Sequence, residues 1–230
     1  MKSFSNRIEA GQALAEELAK RDYPDPVVLA LPRGGVPIGL EVVRRLKAPL
    51  DLVMVRKIGV PYQPELAAAA VVNGDNPELV VNEAIAAHAG LDKVELDRLA
   101  EKQLTEIKRR RGIYLKDRAQ IAVEGRTAIV VDDGIATGAT VRASLKAVRR
   151  RNPAKLVLAV PVAPTDTVES LRTEVDELVC ILTPEPFYAI GAHYADFSQV
   201  SDEEVVRLLD EAERITTRSQ EPEARSKEQT

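Results

Sequence analysis

The sequence predicts an α/β fold: an open, mostly parallel, five-stranded sheet flanked by helices. Short aliphatic runs alternate with helix-like segments between residues 27 and 183, which favours βαβ units with right-handed crossovers. Aromatic residues make up only 3% of the 230 residues and tryptophan is absent, so the core must be aliphatic, as in a parallel sheet covered by helices. With 45% hydrophobic and 30% charged residues, the composition is that of a globular protein and excludes a collagen-like or wholly disordered chain.

Five aliphatic runs are predicted to form the strands of the sheet. They cover residues 27–31, 50–55, 127–131, 156–162 and 178–182. The first helix carries Ile8, Leu14 and Leu18 on one face, and Ser5 or Asn6 can cap it. Further helices are predicted over residues 37–46, 83–111 with an interruption at Gly90, 141–151, 165–175 and 202–214.

Two smaller units are predicted beside the sheet. Residues 58–66 are rich in proline and glycine and are expected to be non-helical. Asn73-Gly74 lies between two apolar runs, which indicates a hairpin. The predicted organisation is one domain over residues 1–214 and a disordered polar tail at 215–230.

The most informative segment joins the third strand to the helix after it. The strand ends in two adjacent carboxylates, Asp132 and Asp133, and residues 134–140 are mostly small or carry hydroxyl groups. Such a loop lets several backbone N–H groups point inward, and the start of the helix adds the positive end of its dipole. The residues therefore predict a nest for one phosphate group, with Thr137 and Thr140 as hydroxyl donors.

Two carboxylates beside a phosphate nest need an explanation, because alone they would repel the phosphate. They fit a sugar phosphate whose hydroxyl groups face Asp132 and Asp133, or a Mg²⁺ ion held together with substrate oxygens. The P-loop is excluded, because three residues rather than four separate Gly134 from Gly138 and no lysine follows. The simpler alternative is a structural strand-to-helix turn that binds nothing.

The segment 128–148, AIVVDDGIATGATVRASLKAV, closely resembles the ribose-phosphate motif of the type I phosphoribosyltransferases. This family binds 5-phosphoribosyl 1-pyrophosphate, usually with Mg²⁺, and transfers the ribose phosphate to a nitrogenous base with release of pyrophosphate. The resemblance implies that Asp132 and Asp133 hold the ribose hydroxyls and the metal. It also implies that the following loop binds the substrate, through Gly134, Ala136, Thr137, Gly138, Ala139 and Thr140.

The resemblance assigns roles outside this motif as well. Arg33, Gly34 and Gly35 form the loop expected to grip pyrophosphate, and Arg33 and Lys57 would be catalytic because they stabilise the leaving group. The resemblance also implies a lid hairpin at 67–82 and a small C-terminal hood at 184–200. Further substrate contacts are implied for Arg56 at the lid and for Phe187 and Tyr188 in the hood. By their own chemistry, the cations could equally be solvated surface charges, the aromatic residues could be ordinary core residues, and His193 could be a base contact or structural.

The expected function is therefore that of a phosphoribosyltransferase, as in nucleotide salvage. Purine salvage members carry a lysine after the fourth strand, but residues 161–165 contain none, so the resemblance does not extend to a 6-oxopurine acceptor. One alternative is a regulatory protein that binds ribosyl pyrophosphate or a nucleotide without catalysis. Another is transfer of the sugar to water.

Charge and composition set expectations for partners and location. The net charge of −4 gives no bulk attraction for nucleic acid or anionic membranes, so neither is an expected partner. No apolar run approaches ~18 residues and the N-terminus lacks a signal-peptide core, so we expect a cytoplasmic protein. The single cysteine, Cys180, excludes an internal disulfide. The expected ligands are ribosyl pyrophosphate, Mg²⁺ and a small base, with a homodimer as the candidate assembly.

Overall fold

The computed structural model describes residues 3–60, 62–73, 78–116 and 118–220. Its strands are β1 (Pro26–Ala30), β2 (Leu50–Leu52), β3 (Met54–Val60), β4 (Gln63–Asn73), β5 (Glu78–Val81), β6 (Thr127–Val131), β7 (Lys155–Val162) and β8 (Glu177–Leu182). Its helices are α1 (Arg7–Leu18), α2 (Gly35–Leu46), α3 (Glu83–His88), α4 (Lys93–Tyr114), α5 (Ala139–Arg149), α6 (Thr165–Leu171) and α7 (Asp202–Gln220), with short 3₁₀ turns at Arg172–Glu174 and Ile190–His193.

The main sheet is parallel and has the strand order β2-β1-β6-β7-β8, which confirms the predicted five-stranded sheet. β1 and β6 are neighbours although almost a hundred residues separate them along the chain. Their last residues, Ala30 and Val131, are register partners. The loops that follow these two strands therefore begin side by side at the carboxyl edge, which is where open α/β sheets bind ligands.

Alternate residues of each strand pack into two separate hydrophobic cores, one on each face of the sheet. Val28 and Ala30 of β1 join the core that also contains α1, α2 and α7, whereas Val27 and Leu29 join the core formed with α5 and α6. All four side chains are fully buried. Helices thus cover both faces of the sheet, as its run of aliphatic residues predicts.

A second, antiparallel sheet of order β3-β4-β5 contains the predicted lid hairpin. Ala69 pairs with Val81 and Val72 with Glu78. The turn at residues 74–77 lies outside the described residues. This lid sheet packs its buried Ile58 and Val71 into the same core as α4.

The sequence prediction was wrong about how the chain enters the lid sheet. The strand expected at 50–55 is divided: β2 ends at Leu52, and β3 begins at Met54 in the other sheet. Much of the segment 58–66, which was expected only to be non-helical, pairs as strand. Register shifts at Ile58/Gly59 and Gly59/Val60 absorb the irregular residues, as β-bulges do, and so the pairing continues through them.

Two helix ends also differ from the prediction. α7 continues to Gln220, six residues past the expected end at Arg214, because Ile215 still packs against the core at helical spacing from Leu208 and Ala212. Residues 221–230 of the expected tail lie outside the described residues. α6 ends at Leu171, where a 3₁₀ turn replaces its expected last turn.

Within the described ranges, no helix is both long and apolar enough to cross a bilayer.

The hydroxyl group of Tyr114 joins α4 to the start of α7. It donates to Asp202 Oδ1 at 2.6 Å, and burial together with this hydrogen bond raises the pKa of Tyr114 to about 12. We expect Tyr114→Phe to lower the free energy of unfolding by about 1 kcal/mol, because only the hydrogen bond is lost. Urea denaturation measures this. Tyr188→Phe is the control, since Tyr188 is 80% exposed, and an equal loss in both variants would contradict the assignment.

Candidate functional site

Asp132 and Asp133 directly follow the carboxyl end of β6, at the edge of the main sheet. The Asp133 side chain is buried, Asp132 is half-buried, and Asp132 Oδ1 accepts a hydrogen bond from the Asp133 amide at 2.9 Å. Desolvation and the charge of Asp133 raise the pKa of Asp132. The pair is therefore costly for the free protein, which is typical of carboxylates kept for a ligand.

Arg7 is the cation that compensates this charge, and the sequence prediction missed it. Its Nε donates to Asp133 Oδ2 at 2.7 Å, and both side chains are about nine-tenths buried. Burial raises the pKa of Asp133, and Arg7 opposes that rise. Within the described residues, Asp132 has no ion-pair partner and its carboxylate stays available for a ligand.

The loop after β1 lies directly against the acidic pair. A Cβ atom on Gly34 would stand 2.0 Å from Asp133 Oδ2, and one on Gly35 would stand 2.7 Å from the Val131 carbonyl oxygen. Only glycine therefore allows this loop to approach so closely. Arg33 in the same loop lies with its Nη1 3.6 Å from Asp202 Oδ1 at the start of α7.

The loop before α5 has the features of an anion nest. Gly138 caps the helix with a positive φ of 75°, a left-handed conformation that favours glycine. Two hydrogen bonds hold the loop in place. The Ile135 amide donates to the Val162 carbonyl at 2.9 Å, and Thr167 Oγ1 donates to the Ala136 carbonyl at 3.0 Å. Among the described residues, the backbone N–H groups of 136–140 have no acceptor, so they are free to bind an anion.

Lys57 and Arg56 are adjacent in β3 and point to opposite faces of the lid sheet. Lys57 lines a cavity of about 500 Å³ together with Thr137 and Ala139 of the loop before α5. Arg56 instead approaches Glu106 on α4 at 4.0 Å. The structure therefore brings Lys57, but not Arg56, to the predicted phosphate loop, and it places Arg33 at a separate position beside α7.

The hood contacts the acidic segment through Ile190 and Tyr194. A Cβ atom on Gly134 would stand 2.6 Å from Ile190 Cγ2, and the Tyr194 hydroxyl donates to the Asp133 carbonyl at 2.5 Å. Of the two aromatic residues expected to meet a substrate, Phe187 stacks on the buried His193 with ring centroids 5.4 Å apart. Tyr188 is exposed to solvent.

Comparisons with known proteins agree on one family. The phosphoribosyl transferase domain model matches residues 5–195. Over 214 residues the chain is 46% identical to two Mycobacterium tuberculosis proteins, from strains CDC 1551 and H37Rv, that carry the provisional name phosphoribosyl transferase. The alignments cover 93% of this chain and 48% of those proteins, so the chain spans about half the length of these curated relatives.

A solved structure is also similar over nearly its whole length. The protein TT1426 from Thermus thermophilus is 43% identical, and its crystal structure superposes with a TM-score of 0.81. The superposition covers 91% of this chain and 98% of that chain.

Gly34 offers a direct test of the close approach between the loop after β1 and the acidic pair. We expect Gly34→Ala to weaken the binding of magnesium pyrophosphate by about tenfold or more, because the new methyl group must displace the loop or the carboxylate. Calorimetric titration measures the affinity. Gly112→Ala is the matched control, since a Cβ atom there would have no described atom within 4 Å apart from its chain neighbours and the nearby backbone of α4. Unchanged affinity in Gly34→Ala would contradict the proposed approach.

Proposed function

Because the chain belongs to the phosphoribosyl transferase domain family, we propose that it transfers ribose 5-phosphate from 5-phosphoribosyl 1-pyrophosphate to a nitrogenous base and releases pyrophosphate. The observation that carries this proposal is the position of the acidic pair between two loops that would bind the phosphate groups of the substrate. Gly34 abuts Asp133 on one side, and the unsatisfied amides of 136–140 follow on the other. A sugar with a phosphate group at each end fits this order of positive and negative groups.

Each part of the substrate has a matching part of the site. The amides at 136–140 and the Thr137 hydroxyl would bind the 5-phosphate. Asp132 would accept hydrogen bonds from the ribose hydroxyls, because its carboxylate has no ion pair among the described residues. The loop with Gly34 and Gly35 would bind pyrophosphate, with Arg33 as its cation.

A Mg²⁺ ion fits this donor set as a partner of the substrate. No group of three or more His, Cys, Asp or Glu side chains in the described ranges could hold a metal by itself. Mg²⁺ commonly uses one or two carboxylates and completes its shell with phosphate oxygens and water. Asp132 would therefore hold it, and the ion would neutralise charge on the departing pyrophosphate. Asp133 is the weaker candidate because its Oδ2 is bound by Arg7.

The chain's own residues would accelerate the reaction by positioning and by electrostatics. As the bond from carbon 1 of the ribose to pyrophosphate breaks, positive charge grows on the sugar and negative charge on the leaving group. Asp132 would hold the sugar, on which the positive charge grows, in place. Arg33 and Lys57 would stabilise the negative charge of the phosphates. The lid sheet over the phosphate loop would exclude water, which otherwise competes with the base for the sugar.

One assay tests the proposal and separates it from its alternatives. The protein is incubated with ribosyl pyrophosphate, Mg²⁺ and a panel of bases, and pyrophosphate release and nucleotide formation are followed. We expect release that depends on a base, and we expect Asp132→Asn combined with Asp133→Asn to abolish it in a folded protein. Tight binding without turnover would instead indicate a regulatory protein, and base-independent release would indicate hydrolysis.

Lys57 tests the role of the lid. Lys57 lies beside the loop proposed for the 5-phosphate, so a role at the leaving group requires the lid to close. In that case Lys57→Ala should lower kcat by about tenfold or more while the affinity for ribosyl pyrophosphate changes less. Steady-state kinetics and equilibrium titration separate the two effects. Lys102→Ala, on the exposed surface of α4, is the control. Loss of affinity with unchanged kcat would assign Lys57 to substrate binding alone.

A further inference from the structure

Backbone hydrogen bonds join the N-terminal segment to the hood. The Phe4 amide donates to the His193 carbonyl at 2.9 Å, and the Phe4 carbonyl accepts from the Ala195 amide at 2.8 Å. The Asp196 amide donates to the Ser5 carbonyl at 2.8 Å. The segment at residues 4–5 therefore runs beside the hood and leads directly into Arg7.

Three different parts of the Arg7 guanidinium are used. Its Nε binds Asp133 at 2.7 Å, and its Nη1 donates to the Ser198 carbonyl at 2.7 Å. The Cζ atom lies 3.9 Å from the centre of the Phe197 ring, a cation–π distance. A planar fork can make these contacts at once, whereas a lysine ammonium is a single point of charge.

The helix itself gives no reason for a cation at this position. Arg7 is the first residue of α1, where the positive end of the helix dipole disfavours positive charge. The cap is supplied by Asn6, whose side chain accepts from the Ile8 and Glu9 amides. Arg7 therefore occupies a locally unfavourable place, and its contacts with Asp133 and the hood supply the compensation.

We propose that Arg7 is a positioning residue that acts through Asp133 and joins the hood to the ribose site. Asp133 is restrained from three directions: by Arg7 at its carboxylate, by Tyr194 at its carbonyl, and by Gly34 in van der Waals contact. Its orientation sets the space between the pyrophosphate loop and the hood. Arg7 fixes that orientation and leaves Asp132 to meet the ligand. The catalytic part of this inference rests on the proposed phosphoribosyl transfer.

Hydrogen exchange of the free protein tests the positioning without any ligand. Arg7→Met removes the fork and keeps an unbranched side chain. We expect faster exchange in residues 133–135 and 190–198, in a protein that remains folded by circular dichroism. Arg126→Met is the matched control: Arg126 also pairs with a carboxylate, Asp25, at 2.7 Å and donates to the Ala122 carbonyl, but it precedes β6 at the opposite edge of the sheet. Equal exchange in both variants across these two segments would overturn the proposal.

Kinetics distinguish positioning from a simple balance of charge. We expect Arg7→Met to lower kcat/KM by about 10- to 100-fold, as is common for residues that orient a ligand-binding group. Arg7→Lys should recover little, because the fork rather than the charge is required, and Arg126→Met should keep wild-type turnover. In an Asp133→Asn background, Arg7→Met should have little further effect. Full rescue by lysine, or additive losses in the cycle, would overturn the role. Absence of turnover in the wild type would instead refute the proposed function and leave the exchange result to decide on positioning.

Discussion

The in-register pairing of β1 with β6 is the constraint on which the site depends. Ala30 and Val131 are the last residues of their strands and are register partners. The two loops that follow therefore start next to each other. Parallel strands need long crossovers, and here the crossover includes α2, the lid sheet and α4. This pairing therefore brings together the loop of Gly34 and Gly35 and the acidic pair, and the parallel pairing of β2 with β1 makes the lid sheet begin at the same edge.

The negative charges of Asp132 and Asp133 lie close together at this edge of the sheet, and the protein compensates the two charges to different extents. Desolvation at the sheet edge raises the pKa of both carboxyl groups, and the neighbouring charge of Asp133 adds to the rise at Asp132. Arg7 binds Asp133 directly, while Asp132 accepts a hydrogen bond from the Asp133 amide and has no ion-pair partner among the described residues. A chemically identical pair thus becomes two different groups, of which one is held in an ion pair and the other, among the described residues, is not. Environment rather than residue type makes this distinction.

The sequence was informative wherever one local pattern was sufficient. The aliphatic runs predict every strand of the main sheet, and the small residues after Asp133 predict the loop before α5. The lid sheet was only partly predictable, because pairing between β3 and β4 continues across bulges and depends on long-range partners. Arg7 could not be assigned, since nothing near it in the chain identifies Asp133. Its only local signal is a cation at the start of a helix, which is a weak hint of a functional residue.

The contacts of Arg7 also bear on how the protein is made. Its partners Asp133 and Ser198 lie 126 and 191 residues further along the chain. During synthesis, α1 leaves the ribosome long before either partner exists, so the first residues must wait for nearly the whole domain before their contacts can form. Contacts of such high sequence separation close late and slow folding. The surroundings of the acidic pair are therefore completed only after the hood has been synthesised. A nascent chain that stops short of residue 198 carries the pair without the full set of contacts that restrains it.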